Sequence, residues 1–337
     1  MSALAGRDSV ISAMAEAPTP APSAPEATGE ESRGAVLAAM AANLAIACGK
    51  LVAGALTGSA AMFAEAGHSV ADTVNQVFLL LGINLSQTKA DEAHPHGHGK
   101  EAFFWSFLAA IFIFVAGAAF SFFEGTRTLI QEGAHERSSF DLTVAFGVLG
   151  IAFLFESVSF TVAMRSLMSG ARRRDWSVIR YIRQSPDLTM KTVVFEDSAA
   201  LTGLLLAAGG LALSEAAGSE VWDAIASICI GFVLAAVSLM LGMQARRLLL
   251  GAAASEEVRE ALHRVVMSFP EVTHIVRLLS MQLGSHSVLV TGELELSRDL
   301  HTLEIEDLIS RIDQKVSAEV PDVTDTFWEL RRRPPSS

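Results

Sequence analysis

Six apolar stretches, at approximately residues 34–57, 59–86, 102–130, 141–168, 189–214 and 222–245, each reach the length of about 20 residues that crosses the hydrocarbon core of a bilayer. Backbone N–H and C=O groups find no water there, so segments of this kind fold as helices or as strands of a closed barrel. Composition separates the two. Hydrophobic residues make up 51% of the chain but aromatic residues only 7%, so the apolar excess lies in long aliphatic runs and not in short alternating strands with aromatic girdles. The expected architecture is an all-α six-helix transmembrane domain over 34–248, with a tight turn at Gly58 between the first two spans. Lys89, Lys100, Arg165, Arg172, Arg173, Arg174, Arg180, Arg183, Arg246 and Arg247 all fall on one side of such a bundle, whereas the other side offers only Arg127 and Arg137. Cytosolic loops carry the positive excess, so both termini are expected in the cytosol.

The flanks differ from the bundle. Residues 1–33 are rich in Ala, Pro, Ser and Glu and contain only Arg7 and Arg33 as basic residues, which predicts a disordered cytosolic tail and not a signal or transit peptide. From about Ala252 the pattern becomes that of a small cytosolic α+β domain, expected over 252–332. Ser255 caps a helix with Val258, Leu262, Val265 and Val266 on one stripe, ended by Pro270. Val272–Met281 and the alternating run 286–296 form strands joined by a hairpin through Gly284. Ile305, Leu308, Ile309, Ile312 and Val316 then mark an amphipathic helix, and 323–330 a last strand. The order is α-β-β-α-β. A domain of about 80 residues cannot hide both faces of its sheet alone, which favours a homodimer.

Polar groups inside the spans carry the chemistry. The second span contains H-x-x-x-D, with His68 and Asp72 one helical turn apart on one face and Glu65 and Asn75 on adjacent turns. A charge at mid-membrane costs roughly 2.5–3.5 kcal/mol even on the lenient insertion scale, so such groups mark function more often than accident. Asn75 and Gln76 also suit interhelical hydrogen bonds. In the fifth span Glu196 and Asp197 stand side by side, about 100° apart on the helix, and Asp197 is the first choice to reach an ion. Glu156 of the fourth span either pairs with Lys50 or another helix, or faces the same path. An imidazole with two or three carboxylates suits Zn2+, with Fe2+, Co2+ and Mn2+ left open by ligand type.

The loop after the second span reads Asp91-Glu92-Ala93-His94-Pro95-His96-Gly97-His98-Gly99-Lys100 and holds three of the chain's nine histidines. Asp91, His94 and His98 form a plausible second metal site, with His96 a bystander. His263, His274, His286 and His301 have no close ligand spacing and are expected at the surface. Cys48 and Cys229 sit in apolar runs, where they serve as small packing residues and exclude a disulfide framework. The formal net charge of -12 argues against a nucleic-acid partner.

These residues resemble the cation diffusion facilitator family of zinc transporters. The resemblance runs from about Arg33 to the end of the chain. Its carriers are Ser59–Gln76 with H-x-x-x-D, the Asp91–Lys100 loop, the opening of the sixth span at Trp222-Asp223-Ala224-Ile225-Ala226-Ser227, and the α-β-β-α-β tail. It implies six spans with cytosolic termini, a homodimer, and a metallochaperone-like cytosolic domain. It also implies a mid-membrane metal site with His68, Asp72 and Asp197 as ligands, and a loop site at Asp91, His94 and His98. Two departures stand out. Val193 occupies the position, four before Asp197, where zinc-transporting members carry His or Asp, so the site is either three-coordinate or recruits Glu196, Glu65 or a water. The phrases around Glu65, Asn75 and Glu196 look like the divergent subgroup that includes zinc transporter nine. In the tail, Val276, Gly292, Glu306 and Glu329 stand where His or Asp is frequent, which predicts dimerisation without the binuclear zinc site.

The function expected is secondary active export of divalent cations, most readily Zn2+, from the cytosol in exchange for protons, with Zn2+ as cargo and no cofactor. An embedded metalloenzyme is disfavoured, since neither H-E-x-x-H nor G-x-S-x-G is present. A membrane metal sensor or scaffold is the principal rival, and the same carrier acting on Mn2+, Fe2+ or Co2+ is the other. The Ala-rich composition leans toward a bacterial inner membrane over an organelle membrane.

Overall fold

The structure is a computed structural model and describes residues 29–131, 138–173, 175–184 and 188–331. Residues 1–28 of the expected tail, together with Arg137 and Arg174, lie outside the described residues. The first 41 residues form a unit by themselves, described only from Gly29, where the chain is already helical. The packing below concerns the unit from Ala42 onward.

Helices coincide with all six apolar stretches: α1 (Gly29–Thr57), α2 (Ala60–Ser86), α3 (Glu101–Phe112) continued through a π-helical turn (Ile113–Ala119) into α4 (Phe120–Ile130), then α5 (Ser139–Arg173), α7 (Leu188–Ala217) and α8 (Val221–Leu249). Among the described residues, four helices are long and apolar enough to cross a membrane: Glu101–Ile130, Ser139–Arg173, Thr192–Ala217 and Val221–Leu249. Their most apolar windows are only 17–44% buried, which leaves Phe114, Val115, Phe123, Ile151, Leu154, Val158, Leu205 and Phe232 facing outward, as lipid contact requires. The chain is an integral membrane protein. Helix α2 has the length, at 27 residues, but Glu65, His68, Asp72, Asn75 and Gln76 interrupt its hydropathy. The α5–α7 connection is more ordered than its polarity suggests: α5 runs on to Arg173, and a short helix α6 (Val178–Gln184) follows.

Small residues set how closely the helices approach. The core contains Ala53, Ala61, Ala64, Ala118, Ala145, Ala152, Ala199, Ala207 and Ala226, filled out by Met62, Leu204, Leu211, Ile230 and Leu234. Gly58, at φ 66°, makes the α1–α2 turn in the left-handed region, and its N–H donates to the Gly54 carbonyl at 2.8 Å. Asp223 at the start of α8 clamps the start of α2, accepting from the Ser59 hydroxyl and the Ala60 N–H, each at 2.6 Å, while Ser59 accepts from the Met62 N–H as the N-cap of α2. Cys229 is half-buried, but Cys48 lies on an exposed face and is not a packing residue.

The C-terminal region follows the expected order: α9 (Glu256–Val266), β1 (Val272–Gly284), β2 (Ser287–Leu296), α10 (Thr302–Glu319) and β3 (Val323–Leu330). The Ser255 side chain caps α9 as expected. The sheet order is β1-β2-β3, with β1 antiparallel and β3 parallel to β2. Leu262, Val265 and Val266 of α9 and Leu308, Ile312 and Val316 of α10 close over Val288, Val290 and Leu294. On the open face, Leu279, Thr291 and Phe327 are register partners across all three strands, and all three are exposed.

Candidate metal centres

Helix α2 carries the first centre. His68 is 2% exposed, and its Nδ1 lies 3.5 Å from Asp72 Oδ1, the one-turn neighbour. Neither ring nitrogen of His68 has a hydrogen-bond partner, nor has Asp72 Oδ1. Buried polar atoms are rarely left so, and a set of lone pairs turned into one interior is what a cation site presents. Helix α7 packs against α2 and supplies the opposing carboxylates. Glu196 accepts from Asn75 Nδ2 at 2.6 Å, so Asn75 does act as an interhelical tie, and Asp197 accepts from the Ser159 hydroxyl of α5 at 2.8 Å. Glu156 is half-buried and, with Glu196, Asp197 and Lys50, is a charged neighbour of Asp72. Val193 packs into an apolar cluster with Phe160, Leu167 and Val194, which suits its lack of a ligand atom.

Sequence reasoning offered Lys50 to Glu156 and missed Ser159. Lys50 turns to Glu65 Oε2, at 2.8 Å, and to the Ser69 hydroxyl, also at 2.8 Å, and not to Glu156. Glu65 is therefore held by an ammonium and is not a free ligand. Ser159 was missed because a serine within a span is ordinary and gives no signal.

The loop carries the second centre. Among the described residues, Asp91, His94 and His98 are the only set of three or more His, Cys, Asp or Glu side chains whose ligand atoms lie within 4.8 Å of one another. His68, Asp72, Glu196 and Asp197 are not gathered that closely. Asp91 Oδ1 accepts from the His94 backbone N–H at 2.6 Å, and Asp91 Oδ2 lies 3.1 Å from His98 Nε2. The two imidazole rings sit 4.2 Å apart between centroids. The backbone bond from His94, aided by His98, holds the exposed Asp91 carboxyl below the usual carboxylate range. Gly97, at φ 78°, supplies the left-handed residue that turns the loop. His96, expected as a bystander to the metal, reaches Asp325 of β3 at 3.7 Å, and Gly99 lies against the backbone of Leu283 and Gly284 in the β1–β2 hairpin. The loop is thus seated on the C-terminal sheet. His263, His274, His286 and His301 are all exposed.

A model of the cation efflux transmembrane domain matches residues 36–250. The chain belongs to the cation efflux family. The human proton-coupled zinc antiporter SLC30A9, mitochondrial, is 29% identical over 281 residues, which cover 82% of this chain and 49% of the relative. The Xenopus laevis protein of the same name is 31% identical over 246 residues, covering 73% of this chain and 43% of that one. A manganese efflux system protein, MneP, from Bacillus subtilis is 25% identical over 302 residues and covers 88% and 94% respectively. The chain spans about half the length of the curated zinc antiporters it matches. The family is one of transporters of metal cations, not of enzymes. Mitochondrial, plant and bacterial proteins all occur among these relatives, so the expectation of a bacterial inner membrane gains no support from them.

Proposed function

We propose that this chain is a proton-coupled antiporter that moves divalent cations, most readily Zn2+, out of the cytosol by alternating access. The observation that carries this is the buried set without hydrogen-bond partners on α2, both nitrogens of His68 and one oxygen of Asp72, on a helix packed against the one that bears Glu196 and Asp197. His68, Asp72 and Asp197 are the ligands, with Glu196 released from Asn75 as a fourth. That these groups stand apart here suits a carrier whose two halves rock about the site and gather the ligands when an ion enters. Ligands must lose their protons to hold a metal, so metal and proton compete for the same groups and their gradients are coupled. In proteoliposomes, an imposed pH gradient is expected to change the Zn2+ flux several-fold; equal flux with and without it would remove the coupling.

The architecture that goes with this function has six spans, α1 and α2 joining the four strongly apolar helices, with both termini in the cytosol. Residues 1–33 are the tail, 34–248 the transporter domain and 252–332 the cytosolic dimerisation domain. The exposed row Leu279, Thr291 and Phe327 supports a homodimer that covers this sheet face. Val276 and Gly292 offer no ligand atoms, which favours a dimer without a binuclear metal site.

Asp91, His94 and His98 hold a loop-bound ion. Asp91→Asn is expected to remove about one metal equivalent per chain, read by equilibrium dialysis; unchanged stoichiometry would remove the loop assignment. The pH dependence has a definite sign. A depressed carboxyl stays charged down through the ordinary range near pH 4, so its contribution is lost only as pH falls below that value.

One observation favours a second reading, a membrane metal sensor. The loop set is already gathered, whereas the membrane set is not. A sensor would bind metal at the loop and show no flux through liposomes.

A further inference from the structure

Within the buried cluster, one charge has no part in the antiport cycle. Lys50 of α1 is fully buried, as are its partner Glu65 and the ion pair between them, and Ser69 takes a second hydrogen bond from the same ammonium. Glu65 and Ser69 lie one turn apart on α2 and bracket His68. The other Glu65 oxygen, Oε1, has no hydrogen-bond partner and is turned against Gly203 of α7, where the lack of a side chain leaves it room. Lys50 is also an electrostatic neighbour of His68, Asp72 and Glu156.

A buried ion pair of this kind is weak as a source of stability. Desolvating both charges offsets most of their attraction, and apolar replacements of similar volume are often neutral or stabilising. Its position gives it a different use. Glu65 carries a hard oxygen donor within one turn of the His68 imidazole, and the ammonium fixes this carboxylate through Oε2, with Oε1 turned toward Gly203. Zn2+ accepts imidazole and few ligands, in a tetrahedron, whereas Mn2+ is suited to sites built from carboxylates and water.

We propose that Lys50 is a specificity-determining positioning residue: with Ser69 it holds the Glu65 carboxylate out of the ion's reach, and so keeps the centre short of oxygen and selective for Zn2+ over Mn2+. This rests on His68 and Asp72 being the transport site. Freed from Lys50, Glu65 adds an oxygen ligand and one further negative charge to a cluster that already contains Asp72, Glu156, Glu196 and Asp197. Removing both members of the pair takes that oxygen away again.

The test compares Zn2+ and Mn2+ uptake, each ion alone, into proteoliposomes containing the full-length chain, Lys50→Met, Lys50→Met/Glu65→Leu and Asp72→Ala. The Mn2+ to Zn2+ flux ratio is expected to rise about tenfold in Lys50→Met, the lower end of what loss of a ligand-orienting group changes in metal affinity. It should return to the starting value in the double variant. A pair that only ties α1 to α2 would alter the amount of folded protein and not the ratio. An unchanged ratio in Lys50→Met overturns the proposal, and so does a raised ratio that persists without Glu65. Where Lys50→Met does not fold, Lys50→Gln, which loses the charge and ends one bond short of the ammonium position beside Glu65, is held to the same two criteria. Asp72→Ala separates the levels: flux retained there removes the transport site itself, whereas flux lost there with an unchanged ratio in the Lys50 variant removes only the role of Lys50.

Discussion

Asp72→Ala is expected to abolish metal flux while leaving a folded protein. The two halves of this outcome have separate physical grounds. Asp72 Oδ1 has no hydrogen-bond partner, so alanine strands no donor at that atom, and it relieves the span of a carboxylate among the charges of Glu196, Glu156 and Asp197. A charge at mid-membrane costs roughly 2.5–3.5 kcal/mol on the insertion scale, so the bundle is expected to be no less stable without it. Flux is another matter. Removing a group that merely orients a ligand costs about 10–100-fold in affinity or activity, and removing a ligand from a set of three or four should exceed that range. Zn2+ uptake into proteoliposomes gives the rate, and the elution profile and thermal midpoint in detergent give the fold. Retained flux in a folded Asp72→Ala protein would take the centre away from α2. Loss of fold would show instead that Asp72 has a structural role that its partnerless oxygen does not suggest.

The features that could be seen in the sequence are those that depend on one segment at a time. Apolar runs of spanning length located every long helix, and the alternation at 286–296 located β2, because a helix in lipid and a half-buried strand each impose a period or a length on their own residues. The one-turn spacing of His68 and Asp72, and of Asp91, His94 and His98 along a short loop, was visible for the same reason. Features that depend on how two segments meet were not. Lys50 could have met Glu156 or Glu65, and only the rotation of α1 against α2 decides for Glu65 and Ser69. The seat of the Asp91–Lys100 loop on the C-terminal hairpin is made by Gly99 against the backbone of Leu283 and Gly284, where no side-chain pattern announces a partner. The parallel pairing of β3 with β2 is likewise a choice between sheet edges that alternation leaves open. The π-helical turn at Ile113–Ala119 falls in an apolar run no different in composition from its neighbours.

Asp223 gives the second large effect, and it acts at the start of α2, the helix that bears His68 and Asp72. The carboxylate is fully buried and binds two donors of the α1–α2 turn at 2.6 Å, the Ser59 hydroxyl through Oδ1 and the Ala60 N–H through Oδ2. Ser59 in turn caps α2 through the Met62 N–H, so the bonds run from Asp223 through the capping residue into the first turn of α2. The opening N–H groups of a helix have no partner within it, and an anion there is favoured by the helix dipole. Hydrogen bonds to a charged group contribute about 1.5–3 kcal/mol each, so Asp223→Ala, which leaves both donors buried and partnerless, should destabilise the protein by about 3 kcal/mol or more. Ser59→Ala removes the cap, about 1 kcal/mol, and one of the two bonds, about 1.5–3 kcal/mol, and should cost about 2.5 kcal/mol or more. Because the two residues share a bond, the double variant should lose less than the sum of the single losses, and this shortfall distinguishes a clamp from two independent contacts. Denaturation of the four proteins in detergent measures it. Additive losses would break the link between the start of α8 and the cap of α2. A neutral Asp223→Ala would mean that water reaches this turn and replaces the carboxylate. The clamp also bears on transport, since it anchors one end of the helix that carries His68 and Asp72 while α7, which bears Glu196 and Asp197, is held to α2 near the centre by the Asn75 amide. Asp223→Asn, which keeps one acceptor oxygen, should therefore lie between the wild type and Asp223→Ala in stability and in flux alike.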